Sequence, residues 1–275
     1  MNILKQSTTI SLISCGMALV VIGGNLDLSV GSLLSLTLGL SISMHLRNTA
    51  LAIIVPLFVA AVVGVINGII ISKFRVNSII VTLGALAIIN GIIMFYRKGR
   101  IVVGYPGTSY SAITDARFFG IPSFIIIYFV IAMLYHILLK KTSFGRKLIY
   151  QGTNPEAAII AGINVRFVTI MSFVICSASV AIASILQGAR LLQGSTNTGA
   201  GMEFNALTAI LIGGISLNGG KGTIFNAMIG VFLLAVIINA LTLLNVPFEW
   251  RNIAKGLLIL IAISADAIAR GRYEK

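Results

Sequence analysis

The stretch VVIGGNLDLSVGSLLS, residues 20–35, decides how this chain is read. It lies between the apolar runs SLISCGMAL and LLSLTLGLSISM, yet it sets Asn25 and Asp27 among glycines. A carboxylic acid inside an apolar segment is costly unless it is hydrogen-bonded or functional. Glycine weakens a helix by about 1 kcal/mol relative to alanine. The stretch therefore predicts a break, with one helix ending near Gly24 and the next beginning near Ser29. Gly23, Gly24 and Gly31 supply backbone freedom, and Asn25, Asp27 and Ser29 either satisfy the freed backbone groups or face a solute. Asp27 has two readings: an anion capping the helix that begins near Ser29, or a direct contact for a polar solute.

The rest of the chain makes that break a membrane feature. Of 275 residues, 57% are hydrophobic and 10% charged, with a mean hydropathy of +1.03. A soluble domain carries about 25% charged residues. A spanning helix needs about 20 apolar residues, and such segments fall at 10–24, 29–46, 50–72, 78–96, 122–140, 167–189, 203–217, 223–244 and 252–269. The expectation is an all-α polytopic membrane protein with about nine transmembrane helices, some short and broken, forming one transmembrane domain over residues 1–275. The run from Ile10 belongs to this bundle: another apolar segment follows it, where a signal peptide would lead into a polar mature region. Broken helices are tolerated at membrane depth where protein or a wet cavity surrounds them.

The net charge of +13 comes from 20 Lys and Arg spread through short loops, which suits lipid headgroups and excludes a nucleic-acid reading. The largest polar interruption, residues 140–166, carries Lys140, Lys141, Arg146, Lys147 and Arg166, and the positive-inside rule places it in the cytoplasm. Alternating from there puts the C-terminus, with Arg270, Arg272 and Lys275, inside as well. The margin is narrow, eleven basic residues against nine, with Arg97, Lys98 and Arg100 on the outer side. Cys15 and Cys176 lie in apolar segments and read as packing residues. His45 and His136 lie near helix ends, without metal-ligand spacing.

Two further glycine-rich stretches interrupt the bundle. GGISLNGGKG, residues 213–222, contains Gly213, Gly214, Ser216 and Asn218. It is not a Walker A loop: Ile215 stands where the first glycine is required, Gly222 where the hydroxyl is, and no strand precedes it. It reads as a tight turn between helices. GTNPEAA, residues 152–158, contains Gly152, Asn154, Glu156, Ala157 and Ala158. There Pro155 can open a short helix with Glu156 in its first turn, a docking element for a partner. No nucleophile with a nearby base is visible among the seven acids and two histidines.

With these residues in view, GGNLDLSVGS, TSFGRKLIYQGTNPEAAIIAGINV, ARLLQGSTNTGAGMEFNALTAILIGGISLNGGKGT and GVFLLAVIINALTLLNV resemble, in that order, the permease subunits of ribose-type ABC sugar importers. The resemblance runs from about Asn2 to Ala265. It implies a transport subunit, not an enzyme, in the bacterial inner membrane, paired with a second copy or a paralogue. It also implies a cytoplasmic ABC ATPase that binds ATP and Mg, an extracytoplasmic sugar-binding protein, and no cofactor or metal in this chain. Arg146 and the region from Gly152 to Gly162, centred on Glu156, match the loop that should touch the ATPase. The glycine-rich breaks and Asn205 match the translocation region. Three departures stand out. The family's usual first span is not expected within this sequence, which starts short of it through a truncated or misassigned start or does without it; Asn25 occupies a position commonly held by glycine, and Asn205 stands where the family usually has Asp. An alternative is a secondary carrier driven by an ion gradient, with Asp27 as coupling acid.

Overall fold

The structure, a computed structural model, describes residues 2–271, with side chains described over 7–247 and 249–264. Arg272 and Lys275 of the charge count lie outside the described residues, as do the side chains of Lys5 and Arg270. In chain order the helices are α1 (Asn2–Ile22), α2 (Val30–His45), α3 (Thr49–Phe74), α4 (Ser78–Arg97), α5 (Ala112–Asp115), α6 (Ser123–Lys141), α7 (Ser143–Thr153), α8 (Pro155–Ile160), α9 (Val165–Leu191), α10 (Met202–Ile212), α11 (Ile224–Leu243) and α12 (Phe248–Gly271).

A helix stands at each of the nine expected places. Among the described residues five of them, α3, α4, α6, α9 and α11, are long and apolar enough to cross a membrane. At a rise of about 1.5 Å per residue, the 16 residues of α2 and the 11 of α10 fall short of a hydrocarbon layer about 30 Å thick. They meet inside the bundle as short helices, in line with the expected mixture of long and short spans; of the nine expected spans, five are shown as long, apolar helices.

α1, α2 and α9 form the interior. From Ser7 to Ile22 α1 is buried except at Ile10, and close small-residue approaches hold it. A Cβ on Gly16 would stand 2.8 Å from the Ser179 side chain on α9, and Cβ atoms on Gly64 and Gly68 of α3 would press into the α9 backbone at Val174 and Ile170. Cys15 and Cys176 are buried free thiols in this packing. The outer faces of α3, α4, α6 and α11 expose large apolar side chains such as Phe58, Ile88, Phe95 and Phe232, as a lipid-facing surface does.

Between the bundle helices, two stretches add detail that the sequence did not show. Antiparallel two-residue ribbons pair β1 (Val102–Val103) and β2 (Arg117–Phe118) with later strands: β2 pairs with β3 (Ile121–Pro122), and β1 with β4 (Gln193–Gly194), Val102 opposite Gly194. Strands this short carry no periodicity to read. The polar interruption 140–166 is also not a loop, since α7 and α8 fill most of it.

Candidate functional site: a junction of three glycine-rich stretches

Three of the glycines marked by sequence close helices. After α1, Gly24 N–H donates to Val21 O and Asn25 N–H to Val20 O, with Gly24 at φ 82°. The same paired bonds follow α8, from Gly162 and Ile163 to Ile159 and Ala158, and α10, from Gly214 and Ile215 to Leu211 and Ile210. This is the Schellman ending, which places a left-handed residue just past the helix and satisfies its last carbonyls. The left-handed residue after α1 is Gly24, so Asn25 costs the turn nothing.

The three stretches converge. Ile22 O, the last carbonyl of α1, accepts from Gly220 N–H at 2.8 Å. A Cβ on Gly152, near the end of α7, would stand 1.9 Å from that same carbonyl oxygen and 2.6 Å from Gly220 N. A Cβ on Gly219 would stand 2.8 Å from Gly24 Cα and 2.7 Å from Gly152 O. Gln151 locks the arrangement, its Nε2 donating to Gly23 O at 3.2 Å and to Thr169 Oγ1 of α9 at 2.9 Å. Backbone thus touches backbone among the end of α1, the end of α7 and the 213–222 turn. In that turn Ser216 N–H donates to Lys221 O and Gly219 N–H to Ser216 O. Gly213 O accepts from Asn226 Nδ2 at 2.7 Å, tying the turn to α11.

Beside the junction lies an open cleft of about 840 Å³. Gly24, Asn25, Gly152 and Asn218 line it, together with Glu156 of α8 and the basic residues Arg75 and Arg166. Asn154 ends α7 and caps α8, its Oδ1 accepting from Ala157 N–H at 3.0 Å, with Pro155 opening the helix. Ala158 packs inward while Glu156, Ala157 and Ile160 face out, Ile160 at 88% exposure. Arg146 is exposed on α7 and is not among the residues lining the cleft. Sequence reading missed Gln151, which left no signal; it counted Arg75 only among the basic residues, and Ile160 lies inside the Gly152–Gly162 region without being singled out.

Asp27 does not reach the cleft. It is wholly buried, and its Oδ1 accepts from Ser29 N–H at 3.0 Å and from Ser29 Oγ at 2.6 Å. Asn67 Nδ2 of α3 donates to Ser29 Oγ at 3.2 Å. Ser29, the residue before α2, makes no side-chain cap bond of its own. The acid therefore anchors the turn that leads into α2, through Ser29. Among the described residues its Oδ2 has no hydrogen-bond partner.

α2 and α10 meet at their N-terminal turns. A Cβ on Gly31 would stand 2.0 Å from Glu203 Oε2 and 2.6 Å from Gly199 O, and Gly199 N–H donates to Ser35 Oγ at 2.8 Å. Glu203 Oε1 accepts from Gly201 N–H at 3.2 Å. Glu203, counted in the sequence only as one of the acids, is thus buried where the two short helices touch. Asn205, two residues on, faces away from this contact, towards α11 and α12.

The segment that carries the chain back from α9 to α10 is strapped at the other end of the bundle. Arg97 is 5% exposed; its guanidinium lies against Gly39 and donates to Gly194 O and, at 3.3 Å, to Ser195 O. It is no solvated loop charge. His45, at the end of α2, is buried, its Nδ1 bonding Ile42 O at 2.5 Å and its Nε2 accepting from Tyr105 N–H at 3.2 Å. Tyr110, also buried, bonds Ser41 and donates to Ile185 O. Burial pushes its phenol up to about 12, against the Ser41 hydrogen bond.

Comparison with known proteins agrees with this architecture. A family model described as the permease component of a branched-chain amino acid transport system matches residues 1–263. The ribose import permease protein RbsC of Haemophilus influenzae is 33% identical over 271 residues, covering 97% of this chain and 84% of that protein. RbsC of Bacillus subtilis is 35% identical over 270 residues, with the same coverage of 97% and 84%. The L-arabinose ABC transporter permease protein AraH of Azospirillum brasilense is 30% identical over 281 residues, covering 98% of this chain and 80% of its own. No solved structure matches. Apolar helices, a broken-helix interior and a family match along nearly the whole chain lead to one statement: this chain belongs to the permease-component family of the branched-chain amino acid transport type, and is a membrane transport subunit, not an enzyme.

Proposed function

We propose that the chain is the membrane-spanning subunit of an ATP-binding-cassette importer for a monosaccharide, a ribose-type pentose or hexose. The observation that carries this reading is the nearly end-to-end likeness to permeases named for ribose and L-arabinose. The geometry supplies a route for coupling. α8 ends the chain segment that begins at Gly152, and Gly152 bears directly on Ile22 O and Gly220 N. Close-packed backbone transmits displacement because it has no soft side chain to absorb it.

In this reading the α7–α8 end faces the cytoplasm of a bacterial inner membrane, and the C-terminus lies on the same side. A partner ATPase binds ATP and Mg and docks on Glu156, Ala157 and Ile160, with Arg75, Arg146 and Arg166 nearby. A binding protein delivers sugar to the opposite end, and a second permease copy or a paralogue completes the path. The test is uptake of a panel of labelled pentoses, hexoses and branched-chain amino acids by cells carrying the complete transporter. Import of at least one sugar, and of no amino acid, is expected; import of amino acids alone overturns the reading.

A further inference from the structure

A second cavity, of about 240 Å³, opens among α1, α10, α11 and α12, away from the glycine junction. Its polar lining is Ser7, Asn205, Asn239, Thr242 and Lys255. Amides and a lysine are expensive where lipid would otherwise cover them, so their gathering in one cavity calls for a partner. Three of these groups, Asn205, Asn239 and Lys255, keep hydrogen-bonding capacity to spare. Asn239 makes no hydrogen bond to the described residues, and Asn205 Nδ2 reaches only the Met202 sulfur, at 4.0 Å. Lys255 has one long bond, 3.4 Å, to Asn252 Oδ1. Thr242 is held by Arg251 Nη1 at 2.8 Å.

A carboxamide offers two donors and an acceptor, and an ammonium three donors. Facing one small space, they match a ligand that accepts and donates at several adjacent oxygens. The described lining contains no carboxylate, which disfavours a cation. The cavity touches α10 at Met202 and Asn205, on the face turned away from α2, and its volume is below the roughly 300–1,000 Å³ of drug-sized pockets, the scale of one sugar ring.

We propose that this cavity is a solute-binding station for a small polyhydroxylated molecule, with Asn205, Asn239 and Lys255 hydrogen-bonding its hydroxyls. The proposal deepens the sugar-permease reading and rests on it for the direction of transport.

The test uses the complete transporter with its ATPase and binding protein. Asn239→Leu, similar in size and without hydrogen bonds, is expected to lower the maximal rate of labelled-pentose uptake about tenfold, equivalent to about 1.4 kcal/mol, at unchanged permease abundance in the membrane. Asn239→Gln recovers most of the rate. In Asn239→Cys, modification by a charged thiol reagent is expected to slow several-fold in saturating ribose or arabinose; the two native cysteines are buried. Unchanged uptake in Asn239→Leu, or modification indifferent to both pentoses, overturns the proposal. Failure of the parent reading looks different, because the unsubstituted transporter then imports no sugar. The thiol measurement is read in either case, protection supporting the station and its absence overturning it.

Discussion

Gly152 and Ile22 stand so close that a Cβ on the glycine would lie 1.9 Å from the isoleucine's carbonyl oxygen. Nothing but glycine fits unless α1 and α7 separate. The same carbonyl accepts from Gly220 N–H, so one residue's oxygen joins all three glycine-rich stretches. Gly152→Ala is expected to destabilise the detergent-solubilised permease by about 1–3 kcal/mol, the scale of an overpacked interior, read as a lower unfolding temperature. Gly84→Ala on α4, where a Cβ meets nothing within 4 Å, serves as the control. A helical glycine replaced in open space gains about 0.5–1 kcal/mol, so the two substitutions should differ in sign.

Asp27 separates a structural acid from an ion-coupling one. Asp27→Asn retains a side-chain oxygen for Ser29 N–H, whereas Asp27→Ala removes both bonds. The expected loss is about 1–2 kcal/mol for alanine and less for asparagine, with uptake preserved in Asp27→Asn. Abolished uptake in a stably folded Asp27→Asn permease would return the acid to the transport step.

Arg97 straps the returning segment to α2 and α4 through two backbone carbonyls. Arg97→Met leaves those carbonyls without their cationic donor, and hydrogen bonds to charged groups contribute about 1.5–3 kcal/mol. In an otherwise unchanged protein, a thiol placed by Ser195→Cys should be modified several-fold faster when Arg97 is methionine. Equal rates would show that the strap is held elsewhere.

Glu156 tests the docking face. Glu156→Lys reverses the charge in the first turn of α8, where an acid suits the helix dipole, and replaces the carboxylate on the exposed face. Uptake and transport-coupled ATP hydrolysis are both expected to fall, by roughly tenfold if docking loses about 1.4 kcal/mol, while the permease stays inserted. Ile160→Asp should act in the same direction, since its side chain is almost fully exposed.

Much of this was legible residue by residue. Gly24 followed by a polar turn, Gly214 after an apolar run and Asn154-Pro155-Glu156 are local signals, and most helix ends lie within four residues of their expected places, the exceptions being the start of α1, eight residues earlier, and the end of α10, five residues earlier. The convergence was not legible. Residues 24, 152 and 219 are far apart in the chain, and glycines that touch through their backbones leave no hydrophobic period or charge pair to read. The charge count was weak for a related reason. Arg97 is buried on carbonyls, Arg190 lies over the Phe124 ring at 5.5 Å and Lys255 lines a cavity. Basic residues such as these are therefore not loop charges, and a count along the chain cannot separate them from those that are. Glu203 escaped notice because its role needs Gly31, and the two meet only after the chain returns through residues 193–201.

The measurement that bears most directly on the whole account is pentose accumulation in vesicles holding the permease, its ATPase and its binding protein. Accumulation is expected to require ATP on the α7–α8 side and to persist when ionophores collapse all ion gradients. Accumulation that survives removal of ATP and stops when the gradients collapse would contradict the account and favour a carrier coupled through Asp27.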